Sequence, residues 1–288
     1  MNVNPRHTAL AVLEESQDKR TTLDKVLEKN DEILDAMTSR DRRLCHALVF
    51  GILRNRAFLD SIIRKHSKTP FERLDPKVVH LLRLGLFQIV FMDRVPDFAA
   101  INTTIELSKQ KGARKASGFI NAVLRKAAQN PCLPASCPAK TRAADLAVSH
   151  SFPRWLVKKW LAAYGHEACS RLFTTINEIP ALTIRVNSLK TDRAALAQAL
   201  DSSGYRIALT RTSPDGIHIL KPGTRIPDLP GFDQGFFQVQ DEAAQMVTRI
   251  LAPRAGESVL DACAGLGGKS FHMAQIMNNK GSILAADT

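Results

Sequence analysis

Long apolar runs are missing from this 288-residue sequence. Its most apolar segment, Val78 to Met92, is interrupted by His80, Arg83 and Gln88. Nowhere do the ~18 or more consecutive apolar residues of a membrane-spanning helix occur, so no membrane partner is expected. The opening residues, Met1-Asn-Val-Asn-Pro-Arg-His7, have neither the basic start nor the apolar core of a secretory signal. Cysteine is scarce: five residues, odd in number and scattered at 45, 132, 137, 169 and 263. That excludes a disulfide framework and points to the reducing cytoplasm. Cys132 and Cys137 lie close together, but no second ligand pair completes a tetrahedral site, so no metal is expected.

The chain has 44% hydrophobic and 24% charged residues, the balance of a soluble globular protein, and is long enough for two or three domains. Acidic residues are in deficit, and the net charge is +12. Residues 40–126 carry 18 Lys and Arg against 7 Asp and Glu, so nearly all of the excess sits in one region. Arginine dominates there (Arg40, Arg42, Arg43, Arg54, Arg56, Arg64, Arg73, Arg83). A guanidinium binds phosphate bidentately and stacks on bases, whereas lysine offers a point charge. A nucleic-acid partner is expected, with Arg40, Arg42, Arg43, Arg54 and Arg56 as candidate contacts. The competing reading is a solvated helical face.

Residues 5–130 read as a bundle of about six helices. Pro5 suits a first turn. Thr38-Ser39 with Asp41 caps a run that continues through Leu44, Leu48, Ile52, Leu59 and Ile63. Asp75-Pro76 opens another, Asp97 a further one ended by Gly112, and a last runs from Ser117 to Asn130. Three prolines among residues 131–138 mark a linker over 131–140. Helical patterning resumes near Thr141, and Trp155 and Trp160 read as core anchors of one apolar face. The period then changes. Ala181 to Asn187 alternates, Thr191 caps a helix ending at Gly204, and two short strands flank the turn Ser213-Pro-Asp-Gly216, giving a β-α-β-β unit. Phe236 to Gln240 is a strand or its approach, leading into a helix capped by Asp241. The expected domains are therefore 1–130, a linker 131–140, 141–235, and 236–288.

The last stretch is the most informative. Val259-Leu260 ends in Asp261, a turn holds Gly265, Gly267 and Gly268, and an amphipathic run follows from Ser270 to Met277. A second apolar run, Ile283 to Ala286, ends in Asp287. Gly268-Lys269-Ser270 matches the end of a P-loop, but the first glycine of that loop would be residue 263, which is Cys. A dinucleotide fingerprint fails at its third position, Ser270. The nucleoside-binding turn of S-adenosylmethionine (AdoMet) enzymes fits better. AdoMet has no phosphate, so the loop needs only small residues that permit close backbone approach, as Ala262, Cys263, Ala264 and Gly265 do. Asp287 stands where an acid would accept the ribose hydroxyls. Cys263 reads as a small apolar filler.

Asp261-Ala-Cys-Ala-Gly-Leu-Gly-Gly-Lys-Ser270 closely resembles the D-x-C-A-A-P-G-G-K-T motif of the RNA cytosine-C5 methyltransferases, the RsmB/NOP family. Gln238-Val-Gln-Asp-Glu-Ala-Ala-Gln245 resembles the lead-in to that motif, and the N-terminal half is similar to a NusB-type helical domain. Gly265 and Leu266 stand where the motif has Ala and Pro. The resemblance implies an all-α NusB-like domain, a small α+β domain, and then the start of a class I AdoMet methyltransferase Rossmann-like α/β domain. It implies AdoMet held by Cys263, Ala264, Gly265, Leu266, Gly267, Gly268, Lys269 and Asp287. It also implies 16S rRNA as substrate and partner, and a monomer. The family's nucleophilic cysteine, which adds to C6 of the target cytosine, is expected beyond Thr288. A C-terminally truncated chain, inactive alone and with 257–288 poorly stable, is therefore expected. The alternative is a non-catalytic NusB-like RNA-binding factor in antitermination or ribosome assembly.

Overall fold

The computed structural model describes residues 4–18, 20–130, 142–220 and 224–287. The expected linker lies at 131–140, outside the described residues. The chain divides into two compact units between Glu178 and Ile179, inside the stretch 141–235 that was expected to form one domain.

The first unit is helical. Its long helices are α1 (Pro5–Glu15), α4 (Ser39–Arg54), α5 (Arg56–His66), α6 (Pro76–Phe91), α7 (Asp97–Gln110) and α8 (Ser117–Gln129). Two short ones, α2 (Leu23–Lys29) and α3 (Asp31–Asp35), bring the total before the linker to eight among the described residues. Three caps form where local chemistry places them. The Asn4 side chain accepts the Arg6 N–H beside Pro5, Thr38 accepts the Asp41 N–H, and Asp75 accepts the Lys77 N–H beside Pro76. The run expected to be continuous through Ile63 breaks at Asn55, whose side-chain amide satisfies the Gly51 carbonyl at the end of α4. Asn55 offers α5 no side-chain cap. Instead Ser151 Oγ, 93 positions along the chain, accepts the Phe58 N–H at 3.0 Å.

Helix α6 is the centre of this unit. Val78 to Gln88 is buried without a break, so the helix is apolar on nearly every side, as a helix enclosed by others must be. Its three polar interruptions are all buried. Arg83, counted above as part of a basic surface, is instead paired with Asp60. Gln88 accepts from Arg6 Nε at 2.7 Å and donates to the Leu84 carbonyl. His80 contacts Gln17. Beyond the linker, α9 (Ala143–Ser149) and α10 (Arg154–Asn177) enclose a small core of Leu146, Val157, Cys169 and Phe173. Helix α10 kinks at Gly165, φ 72°. Trp160 packs on Phe152 and Phe173 in this core, but Trp155 is 66% exposed. A five-residue step does not return to the same helical face, so only one tryptophan is an anchor.

The second unit opens with β1 (Leu182–Val186), then α11 (Arg193–Ser202), β2 (Ile207–Leu209), β3 (Gly216–Ile219) and β4 (Phe237–Val239). Asp192, not Thr191, caps α11 by accepting the Ala195 N–H. The strands form an antiparallel sheet in the order β2-β3-β1-β4. The strand expected to lead into the last domain thus pairs with β1, Arg185 opposite Gln238. One face of the sheet carries Ile184, Val186, Ile217, Ile219 and Phe237 into a core closed by Leu196 and Leu200 of α11. After α12 (Glu242–Leu251), β5 (Ser258–Asp261) and β6 (Ser282–Ala285) run parallel, joined through α13 (Gly268–Ile276). This pair is bare on one side: Leu260 is 63% and Leu284 69% exposed. Among the described residues no helix is long and apolar enough to cross a membrane.

Candidate cofactor turn and basic face

The glycine turn begins where β5 ends. Asp261 closes the strand and holds both ends of the turn, accepting the Cys263 N–H at 3.3 Å and the Ser270 hydroxyl at 2.7 Å. Ser270 is buried and spent on this contact, so the serine of the partial P-loop signature serves the turn itself. The Ala264 N–H bonds the Ala286 carbonyl, tying the turn to the end of β6. The Gly267 N–H bonds the Ala264 carbonyl at 2.8 Å. Gly267, at φ 82°, is the residue before α13 and the left-handed step that lets the helix start.

Asp287 is brought to this turn as expected from its place in the sequence. Its Oδ2 accepts the Gly265 N–H at 2.6 Å. Gly265 has φ 52°, and a methyl added there would meet nothing within 4 Å, so the space in front of its backbone is open. Cys263 is exposed, not the apolar filler proposed above; a side chain at the crest of a turn has no core to fill. Leu266 is 99% exposed, and Ala264, Gly267, Gly268 and Lys269 are half-buried. Open backbone, small side chains and an adjacent carboxylate suit a nucleoside, and the helix N-terminus suits an anionic group such as a carboxylate on its tail. The small side chains and open backbone of the turn fit a ligand without a phosphate, such as AdoMet. Among the described residues no group of three His, Cys, Asp or Glu could hold a metal ion.

A polar cluster behind the turn was not singled out from the sequence. Arg185, in the middle of β1, is 3% exposed. Its guanidinium donates to the Gly268 carbonyl at 2.8 Å, to Gln238 Oε1 at 2.8 Å and to Gln240 Oε1. Gln240 also donates to the Gly268 carbonyl, and Gln275 of α13 donates to the Val186 carbonyl. Burial pushes the Arg185 guanidinium down to about 10, against the opposing field of Asp215. Asp215 accepts from Arg249 at 2.9 Å and contacts buried His272 at 3.3 Å. Burial raises the Asp215 carboxyl, but the His272 and Arg249 contacts outweigh it and leave it below the usual carboxylate range. Burial holds His272 below its ordinary value, which favours the neutral ring. One signal was available: an arginine in the middle of an otherwise apolar alternation needs a buried partner.

The candidate RNA residues lie on α4 and at the start of α5. Arg40, Arg43 and Arg56 are exposed and Arg54 is half-buried. Seven- and four-residue steps place Arg43, the 39% exposed Phe50 and Arg54 along one stripe of α4. Arg42 is set apart, its side chain 19% exposed and paired with Asp35 at 2.8 Å.

The parallel pair, the glycine turn and the acid after the second strand define the opening of an AdoMet-methyltransferase type of α/β domain. Family models agree along the chain: the NusB family at residues 3–129, the RsmF/B-like ferredoxin-like domain at 152–225, and the 16S rRNA methyltransferase RsmB/F at 248–288. Along most of its length the chain is thus similar to the ribosomal RNA small-subunit methyltransferases of the RsmB/F type. It is 37% identical over 279 residues to a probable ribosomal RNA small subunit methyltransferase B of Bacillus subtilis, covering 97% of this chain and 61% of that protein. It is 32% identical over 285 residues to the ribosomal RNA small subunit methyltransferase B of Pseudomonas syringae pv. tomato, covering 99% and 61%. The chain thus spans about three fifths of the length of these relatives. The crystal structure of PH0851 shares the fold, with a TM-score of 0.73 over 99% of this chain and 64% of that one at 21% identity.

Proposed function

We propose that this chain is the RNA-gripping and cofactor-holding part of an enzyme that methylates C5 of a cytosine in 16S rRNA. Residues 1–130 and 141–235 carry the RNA contacts, with Arg40, Arg43, Arg54 and Arg56 reaching phosphates. Residues 236–288 begin the methyltransferase domain. AdoMet bound there supplies the methyl group. Asp287 orients the ribose, and the backbone from Cys263 to Lys269 holds the methionine part. The small side chains of the turn permit close approach. The chain acts in the cytoplasm as a monomer.

The observation that carries the reading is the carboxylate of Asp287 lying against the backbone N–H of Gly265 across an open, small-residue turn. Calorimetric titration of the chain with AdoMet and with ATP tests it. Saturable AdoMet binding that is lost in Asp287→Ala, with no response to ATP, is the expected result. ATP binding without AdoMet binding would overturn it. The chemistry is tested on the chain extended to the length of its relatives, by locating tritiated methyl groups in 16S rRNA; label anywhere but cytosine C5 would refute the assignment.

A further inference from the structure

We propose that Arg185 is a positioning residue for the cofactor turn, gripping the Gly268 carbonyl so that the start of α13 and its free N–H groups face the ligand. The proposal rests on the AdoMet reading above for its consequence, but its geometry stands independently. Arg185 is 3% exposed, and its hydrogen bonds go to neutral oxygens: Gln238, Gln240 and the Gly268 carbonyl. Its Nε has no partner. The nearby carboxylate, Asp215, is taken by Arg249 and His272. A buried guanidinium on neutral partners is a poor device for stability alone, since apolar residues of similar volume serve a core better. What it supplies is direction. Charge-assisted hydrogen bonds are short and strongly oriented, and here they converge on the first residue of α13, next to Gly267. Gln240 reaches the same carbonyl at 3.2 Å, so β1 and the segment after β4 hold one peptide group between them. The Gln238-Val-Gln240 lead-in thereby gains a role: its two amides fix the guanidinium that fixes the turn.

The test uses the whole chain and two readouts. Amide hydrogen exchange is followed in the native chain, in Arg185→Met and in Arg185→Lys, which keeps a cationic donor. Arg185→Met is expected to lose protection at Gly267 and Phe271 while Val259 and Leu284 in the parallel strands keep theirs, and Arg185→Lys to recover part of it. Calorimetry is expected to show AdoMet affinity falling by roughly ten- to a hundredfold in Arg185→Met, the worth of a charge-assisted hydrogen bond. Ile217→Val, a core change in the same sheet, is expected to lower the melting temperature without moving affinity. Unchanged exchange at the turn in both Arg185 variants would overturn the proposal, as would affinity that tracks melting temperature across all three. Should Arg185→Met not fold, Arg185→Lys carries both readouts. Failure of the native chain to bind AdoMet would refute the cofactor reading instead, and the exchange result would still decide whether Arg185 sets the turn.

Discussion

Arg83 donates from Nε to one carboxylate oxygen of Asp60 at 2.7 Å and from Nη2 to the other at 2.9 Å, inside the helical unit. The two side chains are 11% and 12% exposed. Removing one partner leaves a buried, unpaired charge, which typically costs about 3–5 kcal/mol, whereas replacing both with apolar residues is often neutral. Asp60→Ala is therefore expected to destabilise the helical unit by that amount, and Asp60→Leu with Arg83→Met to restore most of it. Urea unfolding followed by circular dichroism measures both. Equal losses in the single and double variants would contradict the pairing argument.

His80 gives that unit a pH dependence. Burial, with the field of Arg83 added, lowers its imidazole from 6.5 to about 4. In the unfolded chain the ring takes up a proton as pH falls through ~6.5, while the folded ring stays neutral until near 4. Stability is thus full above the unfolded value and declines between those limits, by up to about 3 kcal/mol for a shift of this size. His80→Phe should flatten that part of the curve. Unfolding midpoints between the two limits check it, and identical slopes in the two proteins would count against it.

Gly267 and Gly265 differ in what an added methyl costs. A Cβ at Gly267 would lie 2.9 Å from the Phe271 ring, on a backbone of φ 82°. Gly267→Ala should therefore lose about 1–3 kcal/mol of stability in the second unit. At Gly265 the added methyl enters open space and gives the residue that the family motif carries there, so Gly265→Ala is expected to cost less in folding and to leave AdoMet affinity in place. Thermal melts and AdoMet titrations of both variants check this, and a large affinity loss in Gly265→Ala would count against the motif reading.

On the basic face, Arg43→Glu with Arg54→Glu should weaken binding to a 16S-derived RNA hairpin and reduce the salt slope by about one per lost phosphate contact. Arg42→Gln should leave affinity unchanged, because Asp35 already occupies that guanidinium. Fluorescence anisotropy across a salt series reads both. A slope that ignores Arg43 and Arg54 would mark the stripe as solvated surface.

What the sequence made legible was local. Asn4-Pro5, Thr38 with Asp41, and Asp75-Pro76 announce helix starts because the cap and its donor lie within three residues of each other. The glycine turn and Asp287 were readable for a similar reason: strand, turn and acid follow a fixed order. The break at Asn55 leaves little trace in the sequence, because an asparagine side chain, not proline or glycine, ends the helix. A count of charge does not reveal the pairing of Arg83, because Asp60 meets it only after α5 and α6 pack. The Arg185 cluster was invisible for the same reason on a larger scale. Its acceptors lie 53, 55 and 83 positions away, and no periodicity encodes a contact that depends on tertiary folding.

The bond from the Gly265 N–H to Asp287 has a thermodynamic consequence. A carboxylate tethered to backbone has already lost much of its rotamer freedom, and the turn it tethers is ordered with it. A ribose arriving there has less side-chain entropy to extinguish on binding. Asp287→Asn, which preserves shape but replaces one acceptor oxygen with a donor amide, should therefore weaken binding partly through a more disordered turn.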